Sequence, residues 1–190
     1  MPEIPIPERA RNRHVRSGLA VPYITLEIDG RTLWGETHGR KVVDCIVNRL
    51  CQLCAQPLGE KFVFLLTEEQ LAERFTREPP LHPECAAYAQ RACPMIAGRM
   101  THYAWIAREH TGKGCVEPGC GCGGWITHED NGDNRGRPAE AWFAAWFTDY
   151  ATGIRELHEE LTIGDVTGCV LTGEPLKVRP VVADAPRSGD

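Results

Sequence analysis

The chain has 190 residues and a mass of 21.1 kDa, with 42% hydrophobic residues, 25% charged residues and a formal net charge of −5. This globular composition excludes a wholly disordered chain, and no apolar stretch approaches the roughly 20 residues of a membrane-spanning helix. The opening residues lack the apolar core of a secretory signal, so we expect a cytoplasmic protein with reduced thiols. Nine cysteines in that setting indicate metal ligands rather than disulfides.

The first 20 residues are rich in proline and arginine. They hold the one dense basic cluster of the sequence, formed by Arg9, Arg11, Arg13 and Arg16. Arginines can contact the phosphates of a nucleic acid, although proteins that bind a duplex usually present a broader basic face. We therefore expect residues 1–20 to form a flexible basic arm, which would make the nucleic-acid contacts if the protein has such a partner.

Residues 21–128 are predicted to form an α+β domain. Apolar and polar residues alternate over 23–28 and 31–34, on either side of Asp29-Gly30, and this pattern predicts an N-terminal β-hairpin. The apolar residues within 42–50 recur at helical spacing, which favours a short amphipathic helix over a strand.

Further elements follow in the same domain. A turn rich in proline and glycine precedes an apolar strand over residues 62–66. The sequence Thr67-Glu68-Glu69-Gln70 is a capping box, which predicts a helix through about Phe75. Pro83 suits the first position of a second helix, expected to continue to about Cys93.

A polar, glycine-bearing loop near residues 129–136 precedes a C-terminal part, residues 138–182. Its aromatic residues, from Trp142 to Tyr150, recur at helical spacing, but their density also suits a strand. Residues 154–161 are expected to be helical, and 166–182 to form a strand, a turn and a second strand. We expect this mixed part to pack on the first domain as one unit.

Two pairs of metal-ligand residues stand out. Cys51-Gln-Leu-Cys54 and His82-Pro-Glu-Cys85 each place two ligands three positions apart. Three cysteines and one histidine complete a closed, tetrahedral structural zinc site, which leaves no position for a substrate water. The sequence therefore predicts one zinc ion that stabilises the fold.

This order of a cysteine knuckle, strands and a helix bearing the second pair resembles the treble-clef zinc finger over residues 48–93. The resemblance implies a zinc-binding module with a binding role. The treble clef also underlies the HNH endonucleases. Those enzymes carry a catalytic histidine between the ligand pairs, whereas residues 55–81 contain neither histidine nor asparagine.

A second cysteine cluster comprises Cys115, Cys120 and Cys122 in a glycine-rich stretch. Glycines leave the backbone free to wrap an ion, so we expect a second zinc ion as an open alternative to a flexible loop. Its fourth ligand would be Cys93 or one of three histidines, namely His102, His110 and His128. By contrast, Cys45 and Cys169 lie in apolar segments and are expected to be buried.

A wider resemblance covers most of the chain. It is carried by the opening residues 2–13, the segment 20–25 and the stretch 91–103, which begins Arg-Ala-Cys-Pro-Met. These segments look like a group of uncharacterised actinobacterial proteins whose members often carry a cell-envelope or outer-membrane label. The resemblance implies a grouping and supplies no mechanism.

The sequence thus favours a zinc-stabilised cytoplasmic binding protein, without a recognisable catalytic site, whose partner is a protein or a nucleic acid. The alternative is an HNH-like or other metal-dependent hydrolase, with ligands drawn from His38, His102, His110 and His128.

Overall fold

The computed structural model describes residues 4–28, 30–103, 136–154 and 166–182 as small β-sheets with few helices. The α-helices in these ranges are α1 (Gly39–Val47), α2 (Glu68–Glu73) and α3 (Pro83–Ala92), and a 3₁₀ turn spans Glu8–Ala10. The strands are β1 (Val15–Arg16), β2 (Leu19–Ala20), β3 (Thr25–Ile28), β4 (Arg31–Thr37), β5 (Phe62–Thr67), β6 (Phe75–Thr76), β7 (Trp142–Phe147), β8 (Ala151–Ile154), β9 (Val166–Val170) and β10 (Lys177–Pro180). The mixed α and β class predicted from the sequence is confirmed.

Strand β5 separates two hydrophobic cores, because successive side chains of a strand point to opposite faces. The first core comprises Ala10, Ala20, Cys51, Leu53, Cys54, Val63, Leu65, Leu81, Cys85, Ala86, Tyr88, Ala92 and Ala144. The second comprises Ile24, Val42, Cys45, Ile46, Phe62, Phe64, Leu66, Ala145, Phe147, Tyr150, Cys169 and Leu171. This two-sided burial explains why residues 62–66 are apolar at every position.

The C-terminal part joins the same sheet. Strand β7 lies between β5 and β10 and is antiparallel to both. Its register on β5 runs from Phe62 opposite Phe147 to Thr67 opposite Trp142. Of the two structures that suit the aromatic residues after position 141, a helix or a strand, the protein adopts the strand. Residues 62–67 and 142–147 are therefore neighbours in space.

The second core is built around aromatic rings in edge-to-face contact. The Phe64 ring packs against Phe62, Phe147 and Tyr150 with centroid distances of 5.7–5.8 Å. Such T-shaped pairs add about 0.5–1.5 kcal/mol each beyond the area that they bury. The Tyr150 hydroxyl donates to the carbonyl oxygen of Ile46 at 2.8 Å, which ties the turn between β7 and β8 to the end of α1.

A second small sheet has the order β6–β9–β8. The helix expected to continue through Phe75 ends earlier, because Arg74 adopts a left-handed conformation with φ 56°. The Arg74 guanidinium donates to the carbonyl oxygen of Leu171, and Phe75 then pairs with β9 instead of extending α2. The Phe75 ring lies against Gly153 and Gly168, where a side chain would not fit.

Several local predictions are confirmed. Strands β3 and β4 form the N-terminal hairpin. Helix α1 buries Val42, Val43, Cys45 and Ile46 along one face. The capping box at the start of α2 is formed in both directions, between Thr67 and Gln70. Pro83 occupies the first turn of α3, as its fixed φ favours.

The N-terminal segment differs from the flexible arm that the sequence suggested. From residue 4 onward it is packed on the protein, with Ala10 fully buried in the first core and strands β1 and β2 forming a small hairpin. The Tyr88 hydroxyl accepts a hydrogen bond from the Ala20 amide at 2.8 Å. Apolar residues ahead of the arginines, which include Ile4 and Ile6, supply the packing that charge alone would not predict.

The remaining C-terminal predictions have mixed outcomes. Strands β9 and β10 occur within 166–182 as expected, but they belong to different sheets. Ile154 ends strand β8, and residues 155–161 of the expected helix lie outside the described residues, as do 129–135 of the expected boundary. Within the described residues, no helix combines the length and apolar character needed to span a membrane.

Candidate metal centre

The first ligand pair lies in a tight turn between α1 and β5. The Ala55 amide donates to the Cys51 carbonyl oxygen at 2.8 Å, and the Cys51 amide donates to the Gln56 carbonyl oxygen at 2.9 Å. Ala55 has φ 62°, the left-handed conformation that closes the turn. The turn is held at its base by an antiparallel bridge between Leu50 and Pro57. This knuckle brings the Cys51 and Cys54 thiols to the same side.

The second pair lies at the start of α3. His82 is the N-cap residue and Cys85 is in the first turn, where the positive end of the helix dipole favours a thiolate. The preceding Leu81 exchanges two backbone hydrogen bonds with Val63, each of 2.9 Å. Strand β5 therefore fixes the start of α3. The Gln52 amide, within the knuckle, donates to the Pro80 carbonyl oxygen at 3.1 Å.

The two pairs converge on one point. One ligand atom from each of Cys51, Cys54, His82 and Cys85 can be chosen so that all four lie within 4.8 Å of one another. In a tetrahedral zinc site, sulfur atoms lie about 3.8 Å apart and sulfur and nitrogen about 3.6 Å apart, given the usual bond lengths. The distance from Cys54 Sγ to His82 Nδ1 is 3.4 Å. The donor set and its spacing therefore fit a metal ion.

All four ligand residues are buried. Cys51 and Cys85 are fully inaccessible, His82 is 3% exposed and Cys54 is 8% exposed. A buried cluster of four ligands matches a closed structural site, since a catalytic zinc site keeps a position open to water.

The imidazole of His82 is held in one orientation. Its Nε2 lies 2.9 Å from the Pro57 carbonyl oxygen, which can only accept, so Nε2 carries the proton and donates. The other ring nitrogen, Nδ1, faces Cys54 and is free to bind a metal. A backbone carbonyl that fixes the tautomer of a histidine ligand is a common feature of metal sites.

The electrostatics of the cluster favour a thiolate at Cys54 and a protonated thiol at Cys85. Hydrogen bonds from Cys51 and Cys85 hold the pKa of the Cys54 thiol well below its usual range. The same cluster raises the pKa of Cys85, through its hydrogen bonds with Cys51 and Cys54. Hydrogen bonds to Cys51 and Cys54 raise the pKa of His82 to about 10. A divalent cation among these groups would favour the ionised form of all three thiols, because its charge attracts thiolates.

The second predicted cluster is not described. Cys115, Cys120 and Cys122 all lie outside the described residues. Their proposed partner Cys93 ends α3, is half-buried and does not belong to the four-ligand group. A second ion at these residues stays a prediction.

The other cysteines and histidines have different surroundings. Cys45 and Cys169 are buried in the second core as expected, and burial raises the pKa of both thiols. His38 is the N-cap residue of α1, and its buried Nδ1 has no hydrogen-bond partner among the residues that the structure describes. His102 is exposed, whereas His110 and His128 fall outside the described residues. Within the ranges that the structure covers, Cys51, Cys54, His82 and Cys85 form the one group of metal-ligand residues.

Sequence reasoning missed the side chains that connect the two halves of the site. Arg9 Nε donates to Glu84 Oε1 at 2.6 Å, and Arg9 Nη1 donates to Gln56 Oε1 at 3.1 Å. The Gln56 side-chain amide returns a hydrogen bond to the Arg9 carbonyl oxygen at 3.2 Å. The sequence separations of 75 and 47 residues gave no local signal for these contacts.

Comparison of the chain with known proteins identifies no relative. No protein family matches it, and neither the curated proteins nor the solved structures give a significant match. The geometry of the four-ligand group therefore carries the functional argument.

Proposed function

We propose that Cys51, Cys54, His82 and Cys85 bind one zinc ion that holds the fold together and performs no chemistry. Three thiolates and one imidazole in a tetrahedral arrangement favour zinc over the oxygen-seeking cations. The observation that carries the proposal is the convergence of four buried ligand atoms within 4.8 Å. The ion joins the knuckle to the start of α3, so its binding contributes directly to the free energy of folding.

The module around this ion is proposed to be a variant treble clef. A knuckle at 51–54 and a helix that carries the second pair in its first turn support this assignment. The strands between them differ from a simple hairpin. Strand β5 pairs along its length with β7 and touches the segment before α3 through the bridge between Val63 and Leu81.

We infer a binding role for the protein, with another protein as its partner. Two of the four N-terminal arginines make internal contacts: Arg9 pairs with Glu84, and Arg13 donates to the Val21 carbonyl oxygen at 3.0 Å. Arg11 pairs with the neighbouring Glu8. Glu84 and Glu8 offset the charges of Arg9 and Arg11, which supports a protein partner over a nucleic acid.

Exposed apolar side chains give further support to a protein partner. Leu176, Val178 and Val182 in and beside β10 are 56%, 37% and 85% exposed. The hydrolase alternative, with ligands drawn from His38, His102, His110 and His128, gains no comparable support within the described residues. There, neither His38 nor His102 belongs to a group of metal-ligand residues.

Two measurements test this function. Metal analysis of protein purified without a histidine tag is expected to give at least one zinc ion per chain, and less than half an equivalent would contradict the zinc site. The purified protein should also show no retention on single- or double-stranded DNA or RNA at low salt. Retention that weakens when Arg9, Arg11, Arg13 and Arg16 are all replaced by alanine, with a flatter salt dependence, would favour a nucleic-acid partner instead.

A further inference from the structure

The segment 4–13, here called the N-terminal strap, lies against the metal centre. Ala10 is fully buried in the first core together with Cys51, Cys54 and Cys85. The strap turns at this point, where the Ala10 amide donates to the Pro7 carbonyl oxygen at 2.8 Å. Because the strap shares a core with three of the four ligands, the site and the strap cannot be repacked independently.

Arg9 of the strap connects the two ligand pairs. Its ion pair with Glu84 reaches the residue directly before Cys85, in the first turn of α3. Its hydrogen bonds with Gln56 reach the loop two residues after Cys54. The same loop contains Pro57, whose carbonyl oxygen orients His82. One guanidinium therefore contacts both elements that must separate before a buried ion can leave.

We propose that the N-terminal strap is a latch that slows the loss of the metal, with Arg9 and Gln56 as positioning residues for the zinc site. The inference rests on the proposed zinc function. Loss of the ion requires the knuckle and the start of α3 to separate, and this separation must break the contacts of Arg9 with at least one of them. The ion pair is half-exposed, with side-chain exposures of 47% and 45%. Its contribution to the free energy of folding is therefore modest, and its effect is local to the two elements that it joins.

The test follows zinc transfer from the full-length protein to an excess of a chromogenic chelator, well below the melting temperature. We expect Arg9→Ala to release zinc about two- to fivefold faster than the wild type, the range that an exposed ion pair supports. Gln56→Ala should give a similar acceleration. We expect the rate increase of the double variant not to exceed the product of the two single increases. It should fall below that product if Arg9 and Gln56 act through their mutual contact.

Arg11→Ala is the matched control. It removes the same charge from the same segment, but Arg11 pairs with Glu8 inside the strap rather than with a ligand-bearing element. Arg9→Lys should be intermediate, because one ammonium cannot reproduce the two-sided contact of a guanidinium. The melting temperatures of the zinc-loaded Arg9→Ala and Arg11→Ala variants should agree, which separates a latch from a general loss of stability.

Equal release rates for Arg9→Ala and Arg11→Ala would overturn the latch and leave the zinc site intact. A wild-type protein that holds less than half an equivalent of zinc would overturn both. A rate increase that is matched by a lower melting temperature in Arg9→Ala alone would show a stabilising contact and no latch.

Discussion

The Nε2–H of His82 donates to the carbonyl oxygen of Pro57 over 2.9 Å. This hydrogen bond links the first residue of one ligand pair to the loop that closes the other. It turns Nδ1 towards Cys54 Sγ, 3.4 Å away. The protein thus sets the ring orientation of the fourth ligand through its backbone.

The orientation of this ring can be measured directly. In the zinc-loaded protein we expect His82 to be neutral, with the proton on Nε2 and the metal on Nδ1, because Pro57 can only accept a hydrogen bond. Long-range proton–nitrogen NMR spectra of the imidazole rings report both states, and the exposed ring of His102 supplies an internal reference. Coordination through Nε2 would contradict this account of the site.

Loss of a ligand should unfold the protein. Cys85→Ser removes a thiolate from the centre of the first core, and we expect insoluble or molten protein, with a loss of several kcal/mol of stability. Thermal melting and zinc content measure the effect. Ala87→Ser is the control, since it places a serine at an exposed position of the same helix. Full thermal stability of Cys85→Ser would show that the site is not structural.

The predicted second ion has its own test. Replacing Cys115, Cys120 and Cys122 together by serine should lower the zinc content from two equivalents to one, if that cluster binds zinc. If Cys93 is the fourth ligand, Cys93→Ser should lower the content in the same way. Zinc quantification by atomic emission decides this, and a wild-type content of one equivalent would remove the second ion from the account.

The packing of the sheet β6–β9–β8 predicts that alanine lowers the free energy of unfolding at one of its glycines, whereas alanine at a glycine in open space leaves it unchanged. A Cβ at position 168 would lie 2.5 Å from the Thr76 carbonyl oxygen and 2.6 Å from the Phe75 ring. We therefore expect Gly168→Ala to lower the free energy of unfolding by about 1–3 kcal/mol through overpacking. Gly59→Ala is the control, because a Cβ there meets nothing within 4 Å. Equal free energies of unfolding for Gly168→Ala and Gly59→Ala in denaturant titrations would contradict the close approach of Gly168 to Thr76 and Phe75.

The features that were predictable from the sequence are local ones. The ligand pairs at Cys51 and His82, the capping box at Thr67 and the hairpin before α1 each depend on residues a few positions apart. Their spacing or turn chemistry is sufficient to specify them. The side chains that form one buried group could therefore be named before any geometry was known.

The features that escaped prediction depend on distant residues. Arg74 leaves the helical conformation and donates to Leu171, 97 residues away, so α2 ends before Phe75. Trp142 and Phe147 pack on different cores, and this two-sided burial hides the alternation that marks a strand. The contact of Arg9 with Glu84 holds the basic N-terminal segment against the metal centre. The number of charges in that segment does not reveal this contact.

The most direct test of the central claim is a crystal structure with anomalous diffraction recorded on both sides of the zinc absorption edge. We expect a zinc peak bound by the Sγ atoms of Cys51, Cys54 and Cys85 at about 2.3 Å and by Nδ1 of His82 at about 2.0–2.1 Å. No water should complete the coordination. The absence of a peak among these four side chains, or an ion there with a water ligand in place of one of them, would contradict a closed structural zinc site.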